Sequence, residues 1–199
     1  MDERSQRFLT TSKISYKYLC QLGDDVDYSG VCLSATKALE LELRERFIDG
    51  FLDYLDSEYQ LDYPVYHTSF YTYNKRKKEY YRIREREKTL GAIPHILGST
   101  DKSKKDKKRD NNTSKLLEYS KISLFDKDKH NNQEIEITLR TYGSTINSLT
   151  DRFRNTSAHI ERVKRKQAKK CLDELINDDE NFLKIMLNSF DKEKPKHSN

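Results

Sequence analysis

The sequence predicts an all-α fold, an antiparallel helical bundle, and three observations carry that expectation. Apolar residues make up 34% of the 199-residue chain and charged residues 36%, a balance that suits amphipathic helices with one buried stripe better than a thick sheet core. Three prolines and six glycines are too few to turn the many corners of an all-β sandwich. Apolar side chains recur every three or four positions on both sides of a polar middle section.

The first element is a helix over residues 5–22, with Phe8, Ile14, Tyr18 and Leu22 as its apolar stripe and Gly23 as its stop. The polar turn Asp24–Gly30 follows, rich in residues that cap helices. Residues 31–57 then predict one long core helix. Leu39, Leu43, Phe47, Phe51 and Leu55 recur every four positions, Ile48 and Leu52 widen the stripe, and no proline interrupts. At their spacing, Glu40/Arg44 and Glu42/Arg46 read as surface salt bridges rather than catalytic pairs.

Residues 58–98 are different in kind. Tyr59, Tyr63, Tyr66, Tyr71, Tyr73, Tyr80 and Tyr81 fall among basic residues that include Lys75, Arg76, Lys77 and Lys78. Cations that neutralise phosphates and rings that stack on unpaired bases suit a single-strand contact surface. A partly helical excursion, its tyrosines on the body and its charges in water, accounts for the same pattern. Residues 99–115 lack apolar anchors and read as a disordered loop. The chain is thus expected to be one domain, with a Tyr/Lys-rich insertion at about 59–132 and a flexible tail at 191–199.

The helical pattern resumes at 133–154, where Tyr142, Ile146, Leu149 and Phe153 share one face. A polar break at Asn155-Thr156-Ser157 is expected next. A basic amphipathic helix carrying Ile160, Val163, Ala168, Cys171, Leu172, Leu175 and Ile176 follows it, and then a short helix at 179–190.

Bulk properties restrict the setting. The net charge of +5 is a small difference between 38 basic and 33 acidic groups, so it permits a polyanionic partner without requiring one. Cys20, Cys32 and Cys171 are odd in number and lie in apolar-periodic stretches, which favours reduced, buried thiols and a cytoplasmic setting. No Cys/His cluster suggests a metal, no cofactor motif appears, and the charged start and the lack of a long apolar run suggest no membrane partner.

Chemistry concentrates in Leu149–His159. Arg154 offers a planar cationic fork suited to phosphate oxygens, with Arg152 two residues before it, and His159 can exchange a proton near neutral pH. If one helix ends and another begins here, free N–H groups of the new first turn would add an anion site. These are the parts that metal-independent RNA cleavage needs. A base takes the ribose 2′-hydroxyl proton, a cation steadies the phosphorane, and an acid protonates the leaving 5′-oxygen. Among the histidines only His159 has arginines four to six intervening residues upstream, namely Arg152 and Arg154. An arginine complementing a helix end and a histidine satisfying backbone groups would produce the same residues without chemistry.

The run Arg154-Asn155-Thr156-Ser157-Ala158-His159, set in LTDRFRNTSAHIERVKRKQAKKCLDELI, resembles the motif of the HEPN domain family. The stretch DYSGVCLSATKALELELRERF is similar to the long helix that often precedes that motif. The likeness covers roughly 5–57 and 135–190, with the middle as an insertion. It implies a HEPN-like bundle that acts as an endoribonuclease on single-stranded RNA, in a stress, toxin or phage-defence system. It also implies a homodimer whose two motifs line one cleft, and an antitoxin or regulatory partner protein. In that reading Arg154 binds the scissile phosphate, His159 transfers protons and Asn155 orients the substrate. Arg152 and Lys75–Lys78 assist in binding. A non-catalytic HEPN module that binds RNA, nucleotide or protein is the other implication. Some HEPN toxins paired with nucleotidyltransferases carry a modified tyrosine two residues after the histidine; Glu161 stands there, which speaks against that pairing.

Overall fold

The long helix expected over 31–57 is present, but it is built in two pieces. In the computed structural model α2 runs Ser29–Arg44, a single wide π-helical turn takes Glu45–Asp49, and α3 continues Gly50–Tyr59. The structure describes residues 1–59, 71–74, 79–82, 93–98, 115–125, 129–158, 162–177 and 181–190. Before α2 stands α1, Glu3–Leu22. Beyond α3 come a short antiparallel hairpin of β1, Tyr71–Asn74, and β2, Glu79–Arg82, then α4, Ile93–Gly98. A helix over 115–119, α5, passes into a π turn at Ser120–Leu124. Next are α6, Asn132–Leu149, a π turn at Thr150–Asn155, and the short α7, Thr156–Ala158. The described chain ends with α8, Arg165–Leu172, its π extension Asp173–Asn177, and α9, Phe182–Asn188.

The class is all-α, as the composition and periodicity predict, apart from that hairpin. The 58–98 excursion is helical at its described ends and carries the hairpin within it, an element not expected there. Alternating tyrosines, Tyr71 and Tyr73 facing Arg82 and Tyr80 in register, are strand-forming residues at a two-residue period. The loop expected at 99–115 and the tail at 191–199 fall outside the described residues, except that Lys115 opens α5. The helix at 115–124 was not anticipated. Its Leu116, Tyr119 and Leu124 are buried while Ile122 stays exposed, so its apolar residues do not all share one face.

Contacts divide the chain into two compact units. The first joins Met1–Leu43 to Ile146–Ser189, and the second holds Arg44–Thr145 with Phe190–Asn199. In the first, Val31, Ala35, Ala38, Leu39 and Leu43 from α2 form a buried core with Ile146, Leu149, Phe153, Cys171, Leu172 and Met186. The 24–28 turn is clasped to the segment before α8. Tyr28 N–H donates to the Val163 carbonyl at 3.0 Å, and Val163 N–H donates to Asp27 Oδ1 at 3.0 Å. Arg162 donates to the Asp24 carbonyl at 2.9 Å, and Arg165 pairs with the Asp24 carboxylate at 3.3 Å. Gly23 ends α1 at φ +101, a backbone that a side chain resists, as its position in the sequence predicts.

The stripe expected on α1 faces the wrong way. Phe8, Ile14, Tyr18 and Leu22 are 36%, 62%, 59% and 53% exposed, and the inner face is Ser5, Leu9 and Ser12. The Ser12 hydroxyl on this inner face donates to the Val31 carbonyl at 2.7 Å, and α1 packs against α8. The surface placement expected for Glu42 is also corrected. It is fully buried, and its carboxylate accepts the Asp2 N–H at 2.6 Å. Glu40 pairs with Lys37.

In the second unit Phe47, Ile48, Phe51 and Leu52 are buried with Ile93, Leu97, Phe125, Ile135 and Leu139. Phe190 lies edge-on to Phe47, Phe125 and Tyr142, at centroid distances of 5.6, 5.6 and 6.4 Å. Asn131 and Glu134 cap α6 reciprocally. Glu134 N–H donates to Asn131 Oδ1 at 3.0 Å, and Asn131 N–H donates to Glu134 Oε2 at 2.9 Å.

Candidate functional site

Arg152, Arg154 and Asn155 all lie on the π turn that carries α6 forward into α7, within the first unit. The expected break at Asn155-Thr156-Ser157 does not occur; the chain stays helical through Ala158. The reason is that the polar side chains turn back onto the preceding turn instead of ending the helix. Asn155 Nδ2 donates to Asp151 Oδ1 at 3.1 Å and Thr156 Oγ1 to the Asp151 carbonyl at 3.3 Å. Asn147 Nδ2 holds the other carboxylate oxygen of Asp151 at 3.3 Å. Buried Leu149, Thr150, Phe153 and Ser157 fix the inner side of this run, with Ser157 beside the Cys32 thiol.

The continuity removes one expected feature. The N–H groups just after Arg154 belong to an ongoing helix, and the next long helix starts only at Arg165. Its entry is closed by Gln167, whose side-chain oxygen accepts the Lys164 N–H at 2.9 Å. The anion notch between successive helices expected beside Arg154 is therefore not built from a fresh helix start.

The two arginines are treated differently by their surroundings. Both terminal nitrogens of Arg152 meet Glu174, each at 2.6 Å, and its Nε donates to the Ser148 hydroxyl at 3.2 Å. The same guanidinium lies 4.9 Å from the Phe153 ring centroid. Arg152 is thus committed to a two-pronged ion pair between the motif turn and the extension of α8. Arg154 is half-buried, and among the described residues its Nη1 reaches Asn155 Oδ1, at 3.4 Å. Among the described residues no carboxylate forms an ion pair with it. Arg154 and Asn155 are the sequence-predicted pair that the structure brings together. Val163 is held by Asp27 and Tyr28.

His159 lies outside the described residues, as do Lys75, Arg76, Lys77 and Lys78. Reading the sequence overlooked Asp151 and Glu174. Asp151 lies four residues before Asn155, an ordinary helical contact distance that could have flagged it. Glu174 had no such local signal. Among the described residues no group of His, Cys, Asp or Glu side chains gathers as a metal ion would need, and no helix is long and apolar enough to cross a membrane. No protein-family model matches the chain, and neither does any curated protein or solved structure.

Proposed function

We propose that this chain is a HEPN-type endoribonuclease that cleaves single-stranded RNA through attack of the 2′-hydroxyl on the adjacent phosphate. The observation that carries the reading is Arg154, a half-buried guanidinium on a helical turn whose hydrogen-bond partner among the described residues is the neutral amide of Asn155. A cation that meets no carboxylate among the described residues, with a histidine five positions on in sequence, suits a phosphate better than a structural role does. Arg154 binds the non-bridging oxygens and steadies the added charge as the 2′-oxygen to phosphorus bond forms. One imidazole, His159 or its counterpart in a second copy, accepts the 2′-hydroxyl proton. A protonated imidazole returns a proton to the 5′-oxygen as its bond to phosphorus breaks, leaving a 2′,3′-cyclic phosphate and a 5′-hydroxyl. Asn155, anchored by Asp151, orients the substrate. Arg152 acts at one remove by fixing the turn through Glu174. A homodimer that pairs two motifs, and a role in stress response or phage defence with a partner protein, belong to the same proposal.

The test is cleavage of labelled single-stranded RNA by purified protein. Arg154→Ala and His159→Ala are each expected to lower the rate at least about hundredfold, the scale of losing one transition-state charge or one proton-transfer group, with unchanged circular dichroism. Cleavage that survives both substitutions, or that EDTA abolishes in the wild type, rejects the proposal.

A further inference from the structure

Two thiols in the core of the first unit take no part in the proposed cleavage chemistry. Cys32 lies on α2 at 1% exposure and Cys171 on α8 at 0%, far apart in sequence. Both are free, and their sulfurs touch: the Cys171 thiol donates its hydrogen to the Cys32 sulfur. That bond holds Cys32 below the ordinary thiol range and, together with burial, pushes Cys171 above it. The pair is thus divided into a sulfur with thiolate character, able to attack, and a neighbour that keeps its proton. Cys20 is half-exposed on α1, beside the Tyr16 and Tyr28 hydroxyls.

Both sulfurs connect to the turn that carries Arg152 and Arg154. The buried Ser157, three positions after Arg154, lies beside the Cys32 sulfur. Glu174, three positions after Cys171, holds Arg152 at 2.6 Å. Drawing the two sulfurs together therefore acts on this turn through two separate contacts.

We propose that Cys32 and Cys171 are an oxidative modification site, a buried dithiol that a peroxide converts to an internal disulfide joining α2 to α8 and tightening the turn at 150–158. The Cys32 thiolate attacks one peroxide oxygen, the O–O bond breaks, and the released hydroxide takes a proton to leave as water. Cys32 is then a sulfenic acid. The Cys171 sulfur attacks the Cys32 sulfur, and the displaced hydroxide leaves with the Cys171 proton as a second water. Two thiols and one peroxide thus give one disulfide and two waters, the sulfurs supplying both electrons. The sulfurs already meet, so closing to the roughly 2.0 Å of a disulfide is a short movement. Hydrogen peroxide is barely larger than water and enters through local openings of the core that exclude bulkier thiol reagents.

Treating the native full chain with hydrogen peroxide, followed by non-reducing peptide mass mapping, tests it. The intact mass is expected to fall by two hydrogens, with the Cys32 and Cys171 peptides joined, and dithiothreitol is expected to restore both thiols. Cys20→Ser should form the same bond, whereas Cys171→Ala should stop at a Cys32 sulfenic acid. Hydrogen exchange at 150–158 should slow at least about threefold on oxidation. A pair that stays reduced in the native protein yet oxidises in urea overturns the proposal. So does a disulfide that includes Cys20, a sulfinic acid at Cys32 in place of the bond, or a Cys32–Cys171 bond that leaves exchange at 150–158 unchanged. The wild-type map and exchange decide these outcomes even where Cys171→Ala fails to fold. None of the readouts needs RNA cleavage, so they hold or fail independently of the nuclease proposal.

Discussion

Gly50 offers the sharpest test of how the second unit is packed. It sits in helical conformation, φ −62, so no backbone requirement explains a glycine there. A Cβ at this position would instead overlap the Tyr119 hydroxyl and approach the Glu45 carbonyl at 3.3 Å. Tyr119 has no room to retreat. Its ring is 4% exposed, tilted against Phe51 at 5.5 Å and Tyr54 at 5.6 Å, and its hydroxyl donates to the Arg46 carbonyl in the π turn. Burial pushes the Tyr119 phenol well above its usual range, so it remains a donor throughout neutral pH. Gly50→Ala must displace the ring at about 1–3 kcal/mol and lose the hydrogen bond at about 1 kcal/mol. Better helix propensity returns about 1 kcal/mol. The net loss is about 1–3 kcal/mol, which lowers the midpoint of thermal unfolding by roughly 3–10 °C for a chain of this size. Tyr119→Phe alone should cost about 1 kcal/mol. In the double variant the obstructing oxygen is gone, so most of the Gly50→Ala penalty should vanish, a coupling of about 1–3 kcal/mol. Urea and thermal unfolding of the four proteins measure it. An alanine variant as stable as the wild type, or penalties that simply add, would refute the packing described.

Two further predictions concern the first unit. Burial alone would raise the Asp27 carboxyl, but hydrogen bonds from the Ser29 hydroxyl, the Ser29 N–H and the Val163 N–H, with Arg162 nearby, hold it below its ordinary value. A carboxyl lowered in the folded state stabilises above its unfolded pKa of about 3.9 and loses that contribution as pH falls through the lower folded value. Asp27→Asn should therefore flatten stability below about pH 4 and cost about 1 kcal/mol near neutrality; an unchanged acid limb in a denaturant series would count against it. Cys32 and Cys171 are buried and hydrogen-bonded to each other, with Cys171 pushed up by that bond and by burial, whereas Cys20 is half-exposed. A thiol reagent should label Cys20 first in the folded protein and reach the other two only as it unfolds; mass spectrometry showing equal early labelling would disprove that arrangement.

Much of the helical content was legible in local spacing. The four-residue recurrence of Leu39, Leu43, Phe47 and Phe51 located the central helical run, because side chains on one face must all leave water together. Gly23 as a stop and Asn155 beside Arg154 were readable too, each depending on near neighbours in sequence. The three thiols followed from their apolar settings, although Cys20 lies nearer the surface than Cys32 and Cys171.

What local spacing could not supply was the choice among faces and partners. On α1 the sequence marked an apolar stripe, yet packing against α8 and the Ser12 bond to the Val31 carbonyl turned the Ser5, Leu9 and Ser12 side inward. The same holds for Glu174, which claims Arg152, and for Tyr119, which occupies the space that makes Gly50 a glycine. The amino-acid order set the periodicities, the caps and the arginine–asparagine pair, since those depend on residues within a turn or two of each other. Only the assembled chain could assign one arginine to an ion pair and leave the other facing a neutral amide, because packing brings together residues distant in sequence and lets volume and charge choose between them.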